Sequence, residues 1–345
     1  MAHLIEADNM VYAGDKPWHG IGEYLGVSDN ASLESALTAK PILGSSISHT
    51  PALAMINGAT VEVPDSFVAF RDFDGKALGI VGEQQRLSGA SPKRLLQSLQ
   101  NIVGAGKGCL HTAMYLREGK VFVATVKLGA PIEVKAANGF RDQTDFYLVA
   151  TTSFDGSMRT ALYETIVRVV CNNTLRASFS DRQGRSVTKI KHTRAHESKL
   201  NSAESEWSGA VQKYELFKRT VEILAKAPIA DAQALELFKG ALGLSADATE
   251  ASTRKANTLE TVIGLYHGGK GNAPFTGTAW GVLNALTEYA DHRMIVRGAR
   301  DGDGKVSDTS EDGRSKILDS ALFGAGDAFK ARALSLVSSA VGIQL

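Results

Sequence analysis

The chain has 345 residues, with 38 Lys and Arg against 37 Asp and Glu, a net charge of +1 and 43% hydrophobic residues. That length exceeds the roughly 100–200 residues of one domain, and the ordinary apolar and charged fractions exclude disordered, collagenous and disulfide-stapled classes. No run approaches 18 apolar residues, and the N-terminus lacks a basic start followed by an apolar stretch, so a cytoplasmic protein with no membrane contact is expected.

Lys16-Pro-Trp18-His-Gly-Ile-Gly22 comes first. Its indole could stack on an unpaired base, or it could anchor an N-terminal arm. Ser66–Arg71, the Asp-Phe-Asp-Gly75 turn and Lys76–Gly82 read as a hairpin, because Asp-Gly supplies a positive-φ position. Ser91-Pro92 opens a helix that runs to Val103, with Ser91 as N-cap and Pro92 at the first position. Leu110–Leu116 and Lys120–Lys127 form a second hairpin, and Asp145–Thr152 with Met158–Tyr163 a third. Antiparallel hairpins beside a helix predict the α+β class, in a core domain over 1–195.

The period then changes to 3.6. Trp207, Val211, Tyr214, Phe217, Val221 and Leu224 line one face of a single long helix over 203–227, which Pro228 stops. Further helices are predicted over 230–243, 257–266, 279–293 and 316–341, which makes 196–345 a mostly helical domain. A polar, Gly-rich loop near 300–314 interrupts it and is expected to be mobile.

Most strings that suggest chemistry fail on inspection. Gly264-Leu-Tyr-His-Gly-Gly-Lys-Gly271 has phosphate-loop spacing, but Gly271 stands where a magnesium-binding hydroxyl belongs and a helix precedes it. Gly104–Gly108 reads as a helix C-terminal turn. Asp301 and Asp303 begin like a calcium loop that Lys305 ends. Cys109 and Cys171 read as buried thiols. His192 and His196 have the spacing of a helical metal pair, yet cations surround them, so phosphate contact or solvent exposure is the favoured reading. Glu288, Asp291 and His292 share a helix with Trp280 and Asn284; without a nucleophile or paired carboxylate nearby, packing and polar anchoring outweigh catalysis. No catalytic residue, metal or cofactor is assigned.

The strongest signal is Arg159 to Lys199, where nine Lys or Arg meet three acids, Glu164, Asp181 and Glu197. Clustered cations bind phosphate backbones by releasing condensed counterions, without sequence readout. Arg159, Arg168, Arg176, Arg182, Arg185, Lys189, Lys191 and Arg194 are therefore the candidate phosphate contacts. Asn172, Asn173 and Thr174 would add hydrogen bonds or hold the turn, and Trp18 would add stacking.

Lys16–Gly22, Arg168-Val-Val-Cys-Asn-Asn-Thr-Leu175, Lys191-His-Thr193 and Gly277-Thr-Ala-Trp-Gly-Val-Leu-Asn-Ala-Leu-Thr-Glu-Tyr289 together resemble the phage- or plasmid-like family catalogued as domain of unknown function 932. That resemblance implies a phage, prophage or plasmid context and supplies no catalytic residues. More distantly, the plan of hairpins followed by a basic segment is similar to the single-strand annealing recombinases of the RecT and Erf group. This similarity implies a basic groove on an oligomeric ring or filament.

The expectation is a non-enzymatic protein that binds and anneals single-stranded DNA, or RNA, as a homo-oligomer. The alternatives are a nucleic-acid-processing enzyme and a host-interaction, anti-defence protein with an acidic partner.

Overall fold

The computed structural model describes residues 9–14, 22–25, 37–104, 108–136, 138–168, 173–175, 187–244, 253–269, 271–294, 320 and 324–343. Trp18, Cys171 and the loop at 300–314 lie outside them. The strands are β1 (Val11–Tyr12), β2 (Glu23–Tyr24), β3 (Ile47–Ile56), β4 (Ala59–Arg71), β5 (Ala77–Gly82), β6 (Gly108–Leu116), β7 (Val121–Lys135), β8 (Arg141–Ser153), β9 (Thr160–Arg168), β10 (Asn173–Leu175) and β11 (Val187–Ile190). The helices are α1 (Glu83–Arg86), α2 (Pro92–Val103), α3 (His196–Trp207), α4 (Ala210–Lys226), α5 (Asp231–Leu242), α6 (Thr253–Gly268), α7 (Ala279–His292) and α8 (Ala325–Ala340). Hairpin strands fill the N-terminal half and helices the C-terminal half, which is the α+β class.

The chain forms two compact units that alternate along the sequence. The first comprises Met1–Gly129, Tyr147–Tyr163 and Val187–Val211; the second comprises Ala130–Phe146, Glu164–Ser186 and Gln212–Leu345. Three of the divisions fall inside β7, β8 and β9.

In the first unit β3, β4 and β5 form one antiparallel sheet, and the other sheet runs in the order β9-β8-β7-β6-β1-β2, with β11 also paired to β9. The predicted turns explain the pairing. Gly75 takes φ 69° after Asp74, whose carboxylate holds the Arg71 guanidinium at 2.5 Å. Arg71 is 1% exposed and also lies 4.6 Å over the Tyr115 ring. The Ser91 hydroxyl accepts from the Arg94 amide and so caps α2, which buries Leu95, Leu96 and Leu99. Gly104, at φ 69°, ends that helix as expected. The Arg94 guanidinium donates to Glu197, Glu204 and Asn201, and so ties α2 to α3.

In the second unit the remaining parts of β7, β8 and β9 continue to β10. Helix α7 has almost every residue from Ala279 to Asp291 buried, as an element enclosed by a core requires. It packs against α5, α6, α8 and β10. Phe146 meets Tyr214 and Phe217 at ring separations of 5.9 and 5.8 Å, and the Tyr214 hydroxyl donates to the Ala130 carbonyl.

The single helix expected over 203–227 is instead two, α3 and α4. Gly209 costs about 1 kcal/mol relative to Ala inside a helix, and Ser208 precedes it. The chain also changes unit at Val211. Trp207 donates to the Thr188 hydroxyl in the first unit, whereas Tyr214 and Phe217 serve the core of the second.

Candidate nucleic-acid interface

The described part of the basic segment is organised by β11. Thr188 accepts from the Trp207 indole at 2.9 Å and Ile190 is 3% exposed, so these two residues face α3. Side chains alternate along a strand, which turns Lys189 to the opposite face, where it is exposed. In the antiparallel register Lys189 pairs with Ala161 and Ile190 with Thr160. One step further the two chains carry Lys191 and Arg159, both exposed. Arg159, Lys189 and Lys191 therefore cluster, all exposed, at one end of the β9–β11 pair. None of the three forms an ion pair with a described residue. Like charges directly opposite across strands repel, and a bound anion relieves that repulsion. Arg194 is also exposed. Its charge helps to hold the Glu83 carboxyl below the usual range, although the main cause is hydrogen bonding from Arg86.

The other predicted contacts are placed less fully. Arg168 and Asn173 are register partners in the β9–β10 ladder of the second unit. Asn172, Arg176, Arg182, Arg185 and Trp18 lie outside the described residues.

His192 and His196 depart from expectation. They are neither exposed nor free to meet phosphate: His192 is 9% and His196 0% exposed, and only His196 lies on the helix, as its first residue. Both Nε2 atoms converge on the Thr160 hydroxyl, at 3.0 and 2.8 Å, and the Thr152 hydroxyl lies 2.8 Å from that same oxygen. A hydroxyl donates once and accepts twice, so at least one ring presents Nε2–H. Burial is the main reason both imidazoles are pushed down to about 4; His196 adds to this for His192, and Arg94 adds to it for His196. Two buried rings held by hydroxyls thus stand in place of the expected phosphate contact or solvent exposure. The described residues contain no group of three His, Cys, Asp or Glu placed to hold a metal ion.

In the second unit Asn173–Leu175 comes together with the Gly277–Tyr289 stretch, both of which carry the family resemblance, because β10 packs against α7. Thr278 caps α7 by accepting from the Gly281 amide. The Trp280 indole donates to Asp142 at 3.2 Å. Glu288 accepts from the Asn272 amide at 2.9 Å, and Asp291 from the Lys330 ammonium at 2.7 Å, with both members of that ion pair 1% exposed. Glu288 thus anchors the turn at Asn272, and Asp291 anchors helix α8. The glycine-rich string beside them is a packing device: a Cβ on Gly269 would collide with the Leu265 carbonyl and stand 2.9 Å from Glu288 Oε2.

Sequence reasoning missed the buried polar residues of the strands, Asp142, Asp145 and Glu164, and also Lys330. The only signal was a pair of acids, Asp142 and Asp145, within a strand pattern. Among the described residues no helix is long and apolar enough to cross a membrane.

Comparison with curated proteins and with solved structures finds no match. A family model matches residues 78–311, which take in both Arg168–Leu175 and Gly277–Tyr289. That span is about two thirds of the chain, and the protein therefore belongs to the family described as domain of unknown function (DUF932).

Proposed function

We propose that this protein binds single-stranded nucleic acid and anneals strands, without catalysis, in phage or plasmid recombination in the host cytoplasm. The observation that carries this reading is the end of the β9–β11 pair, where Arg159, Lys189 and Lys191 stand exposed with no described acid paired to them. Contacts of this kind fix the phosphate backbone and leave base edges free, which annealing requires. Arg194 of the same unit would add a further contact; Arg168, Asn172, Asn173, Arg176, Arg182 and Arg185 are further candidate phosphate or hydrogen-bond contacts, and Trp18 a candidate for stacking. Assembly of a homo-oligomer would multiply weak contacts along one strand, as in the RecT and Erf plan. The engagement of Glu288 by Asn272 and of Asp291 by Lys330 supports reading those acids as anchors and weakens the rival enzyme reading.

A salt titration of oligonucleotide binding tests the proposal. Three phosphate contacts on a single strand correspond to a slope of about −2 in log affinity against log salt. The triple variant Arg159→Ala/Lys189→Ala/Lys191→Ala should flatten the slope by about that amount and slow annealing of complementary strands. Absence of binding at low salt, or an unchanged slope in the variant, overturns the reading. Capture of an acidic protein partner that survives nuclease treatment would favour the host-interaction alternative.

A further inference from the structure

Arg86 ends the short helix α1, far in sequence from the basic segment, yet the first unit sets the two near one another: the Arg194 charge acts on Glu83, which holds Arg86. The Arg86 guanidinium lies 4.7 Å over the Phe67 ring, inside the range of a cation–π contact. Its Nε and Nη2 donate to the two carboxylate oxygens of Glu83 at 2.8 and 2.6 Å. A two-point contact of this kind fixes the guanidinium plane as well as its position. One face is therefore on Phe67 and one edge on Glu83. The side chain is still 36% exposed, which leaves the outer face and the far edge to solvent.

The sheet beside it continues the flat surface. Phe67 is the register partner of Pro51, and His49 stands two residues before Pro51 on the same strand, so the three share one face. Pro51 is exposed, and His49 and Phe67 are half-buried. The His49 imidazole is held below its ordinary value, first because burial strips its hydration and then because the Arg86 charge is close, with Asp72 opposing both.

What Arg86 can bind follows from what is already taken. Glu83 neutralises its charge and uses two of its donors, so a phosphate would gain little there, in contrast to Arg159, Lys189 and Lys191. The outer face offers a flat, delocalised cation, on which a nucleobase stacks. Bases within a duplex already stack on both sides, whereas an unpaired base has a face to give. Arg194, exposed and in electrostatic reach of Glu83, supplies a cation for the phosphate of a base placed there.

We infer that the outer face of Arg86 is a stacking platform for an unpaired nucleobase, backed by Phe67 and aligned by Glu83, and that it gives the first unit a preference for single strands. This rests on the reading of the basic cluster as a set of phosphate contacts. The test compares a deoxythymidine oligonucleotide with an abasic strand of the same length across a salt series. The wild-type protein should prefer the strand with bases at least ~5-fold. Arg86→Lys, which keeps the charge and loses the plane, should abolish that preference with the salt slope and circular dichroism unchanged. Glu83→Gln, which loosens the plane and leaves Arg86 in place, should weaken it. The Arg159→Ala/Lys189→Ala/Lys191→Ala variant should do the reverse, flattening the slope and keeping the preference. Wild-type binding without a base preference, or a preference that Arg86→Lys leaves intact, overturns the inference alone and leaves the phosphate contacts standing. No binding of either strand at low salt overturns both.

Discussion

Thr160 shows how a single hydroxyl decides the state of two titratable groups. It meets His192, His196 and Thr152 inside the first unit, and the two rings remain neutral there because a charged imidazole would lose its hydration. The unfolded chain protonates its histidines near 6.5, the folded chain only near 4. Through that window the unfolded state binds more protons. Stability is therefore complete above about pH 6.5 and is lost as pH falls toward 4. Two such groups give a limiting slope of roughly 2.7 kcal/mol per pH unit. Urea midpoints measured between pH 7.5 and 4 should follow that fall, and His196→Gln should halve its slope. A midpoint that does not move with pH would show that the rings are already charged or already hydrated. The pair was not legible in the sequence because its local neighbours are Lys191, Arg194 and Lys199, whereas the hydroxyls that bury it come from a hairpin some 30 to 40 positions earlier.

At the scale of elements, hairpins were the most legible part of the fold, because their turns announce themselves locally through Asp-Gly at 74–75 and Gly at 119 and 156. Arg117 and Glu118 also adopt positive φ in the second turn, with no compositional signal. The break between α3 and α4 was illegible for a different reason. Apolar spacing tells which side of a helix is buried, not which core it faces, and Trp207 and Tyr214 keep the same rhythm while serving different cores. The glycine-rich turn after α6 was legible as a non-site, yet its purpose needed distances. Gly269→Ala forces a methyl group onto the Leu265 carbonyl and the Asn272–Glu288 hydrogen bond. It should lower stability by about 1–3 kcal/mol in chemical denaturation while leaving the basic cluster of the first unit unaffected. A wild-type melting curve would mean that the turn opens freely.

At the scale of the whole molecule, the backbone passes from one unit to the other at five places, three of them within β7, β8 and β9. A fragment of residues 1–195 lacks Leu200, Ala203 and Trp207 from the first core, and most of the second unit with them. Expressed alone it should be insoluble or unfolded by circular dichroism; a cooperative transition in that fragment would refute the expectation. This alternation also bears on synthesis. The first unit cannot close until Val211 has left the ribosome, and the second waits for α8, although its earliest strand segment begins at Ala130. At roughly 5–20 residues per second, the second unit's strand segments stay without their covering helices for on the order of ten seconds. For that interval the nascent chain presents uncovered sheet to its surroundings, so its yield in a cell should depend on chaperone supply more than on the stability of the finished fold.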